Sequence, residues 1–127
     1  MVESAPKLRS IQAEAVPGVI HHADVTTLPQ KSIFLIANEF FDALPVRQFC
    51  RTAVAWEEFL IGEVAGDLKF GRAAPQLFDF LTRRLQDTKA GDIVEYCPAL
   101  PAIMARISER IRAYGGAAII IDYGDWR

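Results

Sequence analysis

The sequence predicts an α/β fold in which helices cover a parallel sheet and an antiparallel β meander is inserted. Two short, continuous apolar runs, Ser32–Ala37 and Ala117–Ile121, are typical of strands buried on both faces. The final segments are ordered strand, helix, strand, which favours parallel pairing. The stretch between the runs, residues 46–71, has the composition of a meander. The 127 residues suit one domain, 1–127.

The N-terminal part predicts a helix, a short strand and a loop before the first apolar run. Leu8, Ile11 and Ala15 fall on one face of a helix over Ser4–Val16, which a Pro-Gly pair ends. Val19–Ile20 is predicted as a short strand, and the residues up to position 30 as a loop.

The central and C-terminal parts predict the meander and two further helices. The meander strands are predicted over Val46–Thr52, Trp56–Ile61 and Leu68–Phe70. Pro75 suits the first position of a helix that runs to Leu85. Ile93–Cys97 is predicted as a strand of the parallel sheet, and apolar residues at helical spacing predict a helix over Leu100–Ile111.

Charge, hydropathy and ligand spacing argue against several classes of function. Fourteen basic residues face sixteen acidic ones, for a net charge of -2, so no nucleic-acid partner is predicted. No apolar run approaches the ~18 residues that span a bilayer, so no membrane insertion is predicted. The two cysteines and two histidines lack ligand spacing, so no metal site is predicted.

Acidic segments follow both apolar runs, and they are the best candidates for chemistry. Because parallel strands end at one edge of a sheet, we expect Glu39, Asp42 and Asp122 near a common crevice. Phe40 and Phe41 would partly desolvate the first two carboxylates, which could then orient a cationic nitrogen or accept a proton. Alternatively, Glu39 only anchors a turn, and the segment around Asp122 is a plain turn.

The glycines do not form a nucleotide-binding motif. Gly115–Gly116 precedes a strand, whereas a phosphate-binding glycine turn opens a helix. Neither a Walker loop nor a nucleophile elbow is present in the sequence.

The segment Ile36–Phe49 resembles the most characteristic stretch of the MidA-type methyltransferases, the family of the mitochondrial complex I assembly methyltransferase and its bacterial relatives. The resemblance covers most of the chain. The other similar segments are Pro6–Arg9 with Gln12, Trp56–Glu58, Glu95–Pro98 and Gly115–Gly124.

The resemblance implies a Rossmann-like class I fold, S-adenosylmethionine as cofactor and a protein substrate, methylated on arginine of a respiratory-complex subunit in the mitochondrial branch. It implies catalytic roles for Glu39 and Asp42, which would face the substrate nitrogen. The cofactor-binding residues would be Asn38, Glu39 and Phe40, and the substrate-binding residues would be Phe41, Pro45, Asp122 and Tyr123.

The same resemblance predicts a partial methyltransferase domain, because the family's glycine-rich cofactor loop should lie upstream of Ser4. We therefore expect this chain alone to be inactive and to associate with further copies through exposed sheet edges. Two other interpretations stay open: a non-catalytic interaction module of the same family, and an unrelated α/β enzyme with an acid/base pair. The expected location is a bacterial cytoplasm, or the mitochondrial matrix if the source is eukaryotic.

Overall fold

Two sheets, one parallel and one antiparallel, organise residues 1–124, which are the residues that the computed structural model describes. The chain divides into two units: the first holds Met1–Ala43 and the segment from Ala99 onward, and the second holds Leu44–Pro98. The last three residues of the predicted domain, 1–127, lie outside the described residues.

The elements follow one another in an α/β order. The helices are α1 (Pro6–Ala15) and α2 (Leu100–Tyr114), with 3-10 turns over Val25–Thr27 and Asp79–Leu85. The strands are β1 (Ile33–Asn38), β2 (Arg47–Arg51), β3 (Trp56–Val64), β4 (Asp67–Arg72), β5 (Ile93–Tyr96) and β6 (Gly116–Ile121). Within the described residues, neither helix has the length and continuous hydrophobicity needed to cross a membrane.

In the first unit, β1 and β6 pair in parallel, which confirms the predicted pairing of the two apolar runs. Their register runs from Ile33 opposite Gly116 to Asn38 opposite Ile121. Gly116 has a φ of 118°, and a Cβ there would lie 1.9 Å from the carbonyl oxygen of Ile33. A glycine is therefore required where β6 begins, because any side chain would collide with the neighbouring strand.

The prediction that both apolar runs are buried on both faces is wrong for this structure. Phe34 and Ile36 are 85% and 73% exposed, whereas Ala37 in the same strand is buried. The helix α2, in which Ile107 is buried, contacts β1. The exposed residues of β1 therefore alternate with the residues on the face of β1 that is covered.

The second unit is a four-stranded antiparallel sheet in the order β4-β3-β2-β5. Its core consists of Phe49, Trp56, Leu81 and Val94. β3 and β4 are joined by a two-residue turn whose residues both have positive φ. The predicted meander strands are present, but the antiparallel sheet extends beyond residue 71 to include β5.

The placement of β5 in the parallel sheet was therefore wrong. β5 pairs antiparallel with β2, with Arg47 opposite Tyr96. Only Val94 of this strand is buried, beside an exposed Ile93 and an exposed Glu95. This alternation suits a strand with one covered face, as in an antiparallel sheet, and not a strand covered on both faces.

Two short predicted elements were also wrong. Val19–Ile20 is not a strand, because the nearby pairing is a single bridge between Val2 and His22. The helix predicted from Pro75 is reduced to the 3-10 turn that begins at Asp79. Gln76 instead exchanges two backbone hydrogen bonds with Trp56, of 3.0 and 2.9 Å, and this pairing holds the residues after Pro75 extended.

Candidate functional site

Glu39 stands where β1 ends, and its backbone is held in an unusual conformation. Its φ is 50°, in the left-handed region that residues other than glycine seldom adopt. Its amide donates a hydrogen bond of 2.9 Å to the carbonyl oxygen of Ile121, the last residue of β6. This bond continues the β1–β6 pairing by one residue and fixes the point from which the Glu39 side chain projects. Such conformations cluster at functional sites.

The carboxylate of Glu39 is held from the same side. The backbone amide of Tyr123 donates a hydrogen bond of 3.1 Å to its Oε1 atom. Carboxylate oxygens of Glu39, Asp42 and Asp122 lie within 4.8 Å of one another. The structure thus brings together the three acids that the parallel sheet was expected to bring together. It also uses a backbone donor, the amide of Tyr123, that no side-chain pattern could have indicated.

The pKa of Glu39 is raised above its ordinary value. Desolvation is the largest cause of this increase. The next largest effect, the hydrogen bond from Tyr123, lowers the pKa. The hydrogen bond with Asp42 and the negative charges of Asp42 and Asp122 raise the pKa further. A cation placed among these oxygens would relieve the repulsion. A metal ion would fit the spacing, but accessible acids are often grouped without one, and no metal site is assigned.

The first unit has a groove of about 460 Å³ whose lining includes Glu39, one of the three clustered acids. It is lined by Asn38, Glu39, Phe40 and Phe41, which include all three predicted cofactor-binding residues. The rings of Phe40 and Phe41 meet edge to face, with centroids 5.2 Å apart. The other lining residues are Met1, Val2, Glu3, Gln12, Val25, Leu28, Ile33, Phe34, Leu35, Ile36, Ala37 and Ile107. The volume falls in the range of small-molecule sites, and the lining combines apolar walls with the polar side chains of Glu3, Gln12, Asn38 and Glu39.

Two polar groove residues, Glu3 and Gln12, were not predicted as site residues. Gln12 lies on α1, and its Oε1 is 3.0 Å from Nε2 of His21. Gln12 belongs to one of the segments that carry the family resemblance, which is the signal that could have singled it out. Of the predicted substrate-binding residues, Phe41 lines the groove and the side chain of Tyr123 is 81% exposed. Pro45 belongs to the second unit.

The second unit has a charged pair that the sequence analysis did not predict. Nε of Arg47 donates a hydrogen bond of 2.7 Å to Oε1 of Glu58, and Nη2 of Arg47 donates one of 2.7 Å to Oε2. The guanidinium carbon of Arg47 also lies 5.0 Å from the ring centroid of Phe49. The hydrogen bonds from Arg47 lower the pKa of Glu58. This bidentate pair joins neighbouring strands of the meander, so its evident role is to hold β2 against β3.

The whole chain matches one protein-family model. That model covers residues 1–127 and is described as "Putative S-adenosyl-L-methionine-dependent methyltransferase".

Curated relatives carry a related name. The chain is similar to protein arginine methyltransferase NDUFAF7, mitochondrial, of Xenopus tropicalis, with 32% identity over 98% of this chain and 35% of the relative. The protein of the same name from Bos taurus is 34% identical over 96% of this chain and 28% of the relative. The chain thus spans about a third of the length of these relatives.

Two crystal structures of Burkholderia thailandensis proteins share the fold. One, of an uncharacterized protein, superposes with a TM-score of 0.72 at 27% identity, over 98% of this chain and 35% of that one. The other was determined with bound S-adenosyl-homocysteine and gives a TM-score of 0.70 at 26% identity, over 98% of this chain and 34% of that one. The family model matches the chain over its full length. The chain therefore belongs to the family of S-adenosyl-L-methionine-dependent methyltransferases.

Proposed function

We propose that this chain forms the substrate side of a methyltransferase site that acts on arginine in a protein. The observation that carries the proposal is the group of three carboxylates within 4.8 Å, one of which is fixed by the amide of Tyr123. A guanidinium group is planar and cationic, and it presents several N–H donors that pair well with carboxylates. The names of the curated relatives support arginine as the target.

Glu39 and Asp42 would hold the guanidinium and direct one nitrogen toward the methyl donor. S-adenosylmethionine supplies a methyl group bonded to a positively charged sulfur. The reaction forms a nitrogen–carbon bond, breaks a sulfur–carbon bond and releases one proton from the attacking nitrogen. The raised pKa of Glu39 suits it to accept that proton once the product forms.

The groove is compatible with the cofactor. Asn38, Glu39 and Phe40 line it, so a carboxylate and an amide stand beside aromatic and aliphatic walls. A sulfonium is a cation and would be favoured near the acidic end of this groove, for the same reason that a guanidinium would be. We propose that these three residues contact the end of the cofactor that carries the methyl group.

Binding of a short arginine peptide tests the substrate assignment on this chain. We expect an arginine peptide to shift the backbone NMR signals of Glu39, Asp42 and Tyr123, because its guanidinium pairs with the carboxylates. The same peptide with citrulline, which is neutral and nearly isosteric, should not shift them. Glu39→Gln should weaken binding by about tenfold or more, the loss of a charge-assisted hydrogen bond.

The matched control is Glu14→Gln, an exposed glutamate on α1, which should bind like the unaltered chain. Equal binding of the arginine and citrulline peptides would contradict the proposal. Binding that needs no carboxylate would favour the non-catalytic interaction module instead.

A subunit of a respiratory complex is the proposed substrate, and copies of the chain are proposed to associate. The proposed location is a bacterial cytoplasm, or the mitochondrial matrix in a eukaryote; the relatives' names, which include "mitochondrial", support the second. Fractionation of source cells with an antibody against the chain would distinguish the two.

A further inference from the structure

Among residues 1–124, no strand pairs with the outer edge of the antiparallel sheet, and this edge is apolar on one face. β4 is an end strand, and all six of its residues are exposed. Leu68 and Phe70 are 79% and 83% exposed, and Ile61, which lies opposite Phe70 on β3, is 65% exposed. An exposed strand edge with an apolar face is a template for pairing with another strand.

The turn that joins β3 to β4 determines which residues of β4 can pair outward. Val64 and Asp67 flank a two-residue turn, so they form a hydrogen-bonded pair, and such pairs alternate along the hairpin. The backbone N–H and C=O groups of Leu68, Phe70 and Arg72 therefore point away from β3.

We propose that β4 pairs antiparallel with β4 of a second copy of this chain, with the two Phe70 residues opposite each other. A two-fold axis normal to the sheet keeps each face continuous, so the pairing can centre on Leu68, Lys69 or Phe70. Centring on Lys69 would place that lysine against itself, and directly opposed like charges are destabilising. Centring on Leu68 would pair Phe70 with the turn residue Gly66. Centring on Phe70 pairs the strand from Leu68 to Arg72 and opposes no like charges.

The charges on this face also favour a second copy in that register. In the register centred on Phe70, Leu68 lies opposite Arg72 of the second copy. Glu63 lies opposite Leu68 within one chain. In the joined sheet, Glu63, Leu68 and that arginine would therefore lie side by side in a row on three neighbouring strands. The two-fold axis repeats this row at the other end of the interface. Arg72 contacts Glu57 at 3.2 Å, but its side chain is 51% exposed and a guanidinium has further donors.

The test is sedimentation equilibrium of the full chain over a range of concentrations, without cofactor or peptide. We expect a monomer–dimer equilibrium that Phe70→Lys weakens by more than about tenfold, because two lysines would then stand opposite each other. The matched control is Phe34→Lys on β1, since Phe34 is an equally exposed phenylalanine on the other sheet. This control should dimerise like the unaltered chain.

Leu68 provides a second pair of variants that tests the register. Leu68→Lys should weaken the dimer and Leu68→Glu should not, because position 68 faces Arg72 of the second copy only in the register centred on Phe70. Equal effects of the two changes would overturn that register. A chain that stays monomeric at millimolar concentration, or a dimer that Phe70→Lys leaves intact, would overturn the proposed interface.

Discussion

At the residue scale, two glutamates have pKa values shifted in opposite directions. The pKa of Glu39 is raised by desolvation and by its acidic neighbours, so ionising it costs stability as the pH rises above its ordinary value of 4.5. The pKa of Glu58 is lowered by the hydrogen bonds from Arg47, so its contribution to stability is present above 4.5 and is lost as the pH falls through the lowered value.

These signs give matched predictions for two substitutions. Glu39→Gln should raise the melting temperature at pH 7, because the amide keeps a carbonyl for Tyr123 and removes a charge beside Asp42 and Asp122. Glu58→Gln should lower it, since the ion pair with Arg47 is lost. Thermal unfolding followed by circular dichroism at pH 7 and pH 4 measures both, and the Glu58 effect should shrink at pH 4. A lower melting temperature for Glu39→Gln at pH 7 would contradict the repulsion of the Glu39 charge by Asp42 and Asp122.

At the element scale, the turn between β3 and β4 contains a residue that is poorly suited to its backbone. Ala65 has a φ of 54° and the following Gly66 has a φ of 87°. Asparagine is tolerated in the left-handed region far better than alanine, so Ala65→Asn should stabilise the chain by about 0.5–1 kcal/mol. Urea unfolding measures the change. Ala53→Asn is the control, because Ala53 is exposed and has no positive φ, and an equal gain there would refute the explanation.

The elements also show how far sequence reasoning reaches. The parallel pairing of the two apolar runs followed from their composition, and the gathering of Glu39, Asp42 and Asp122 followed from the pairing. Local sequence patterns do not predict which distant segments pair. The backbone of Gln76 pairs with that of Trp56, so most of the helix predicted from Pro75 does not form. β5 joins β2 for the same reason, since a four-residue run does not encode its partner. The amide of Tyr123 is a backbone group and has no signature in the sequence.

At the scale of the whole molecule, the two units differ in how much of their own core they bury. Phe49 and Trp56 of the antiparallel sheet have no exposed surface, whereas Phe34 and Ile36 of the parallel pair are largely exposed. Local stability follows buried apolar contacts, so hydrogen exchange should be slowest in β2, which has a strand on each side, and faster in β1 and β6. Exchange followed by NMR tests this. Slower exchange in β1 than in β2 would contradict it.

The antiparallel unit interrupts the sequence between β1 and β6, and this arrangement affects the order of folding. β2 and β5 begin and end the unit, and they are neighbours, with Arg47 opposite Tyr96. Folding of this unit brings the two ends of the intervening chain close together. Pairing β1 with β6 then closes a much shorter effective loop, so the entropic cost of closing that loop is smaller. We therefore expect the acidic strand ends to assemble faster when the antiparallel unit, which contributes none of the three clustered carboxylates, folds first.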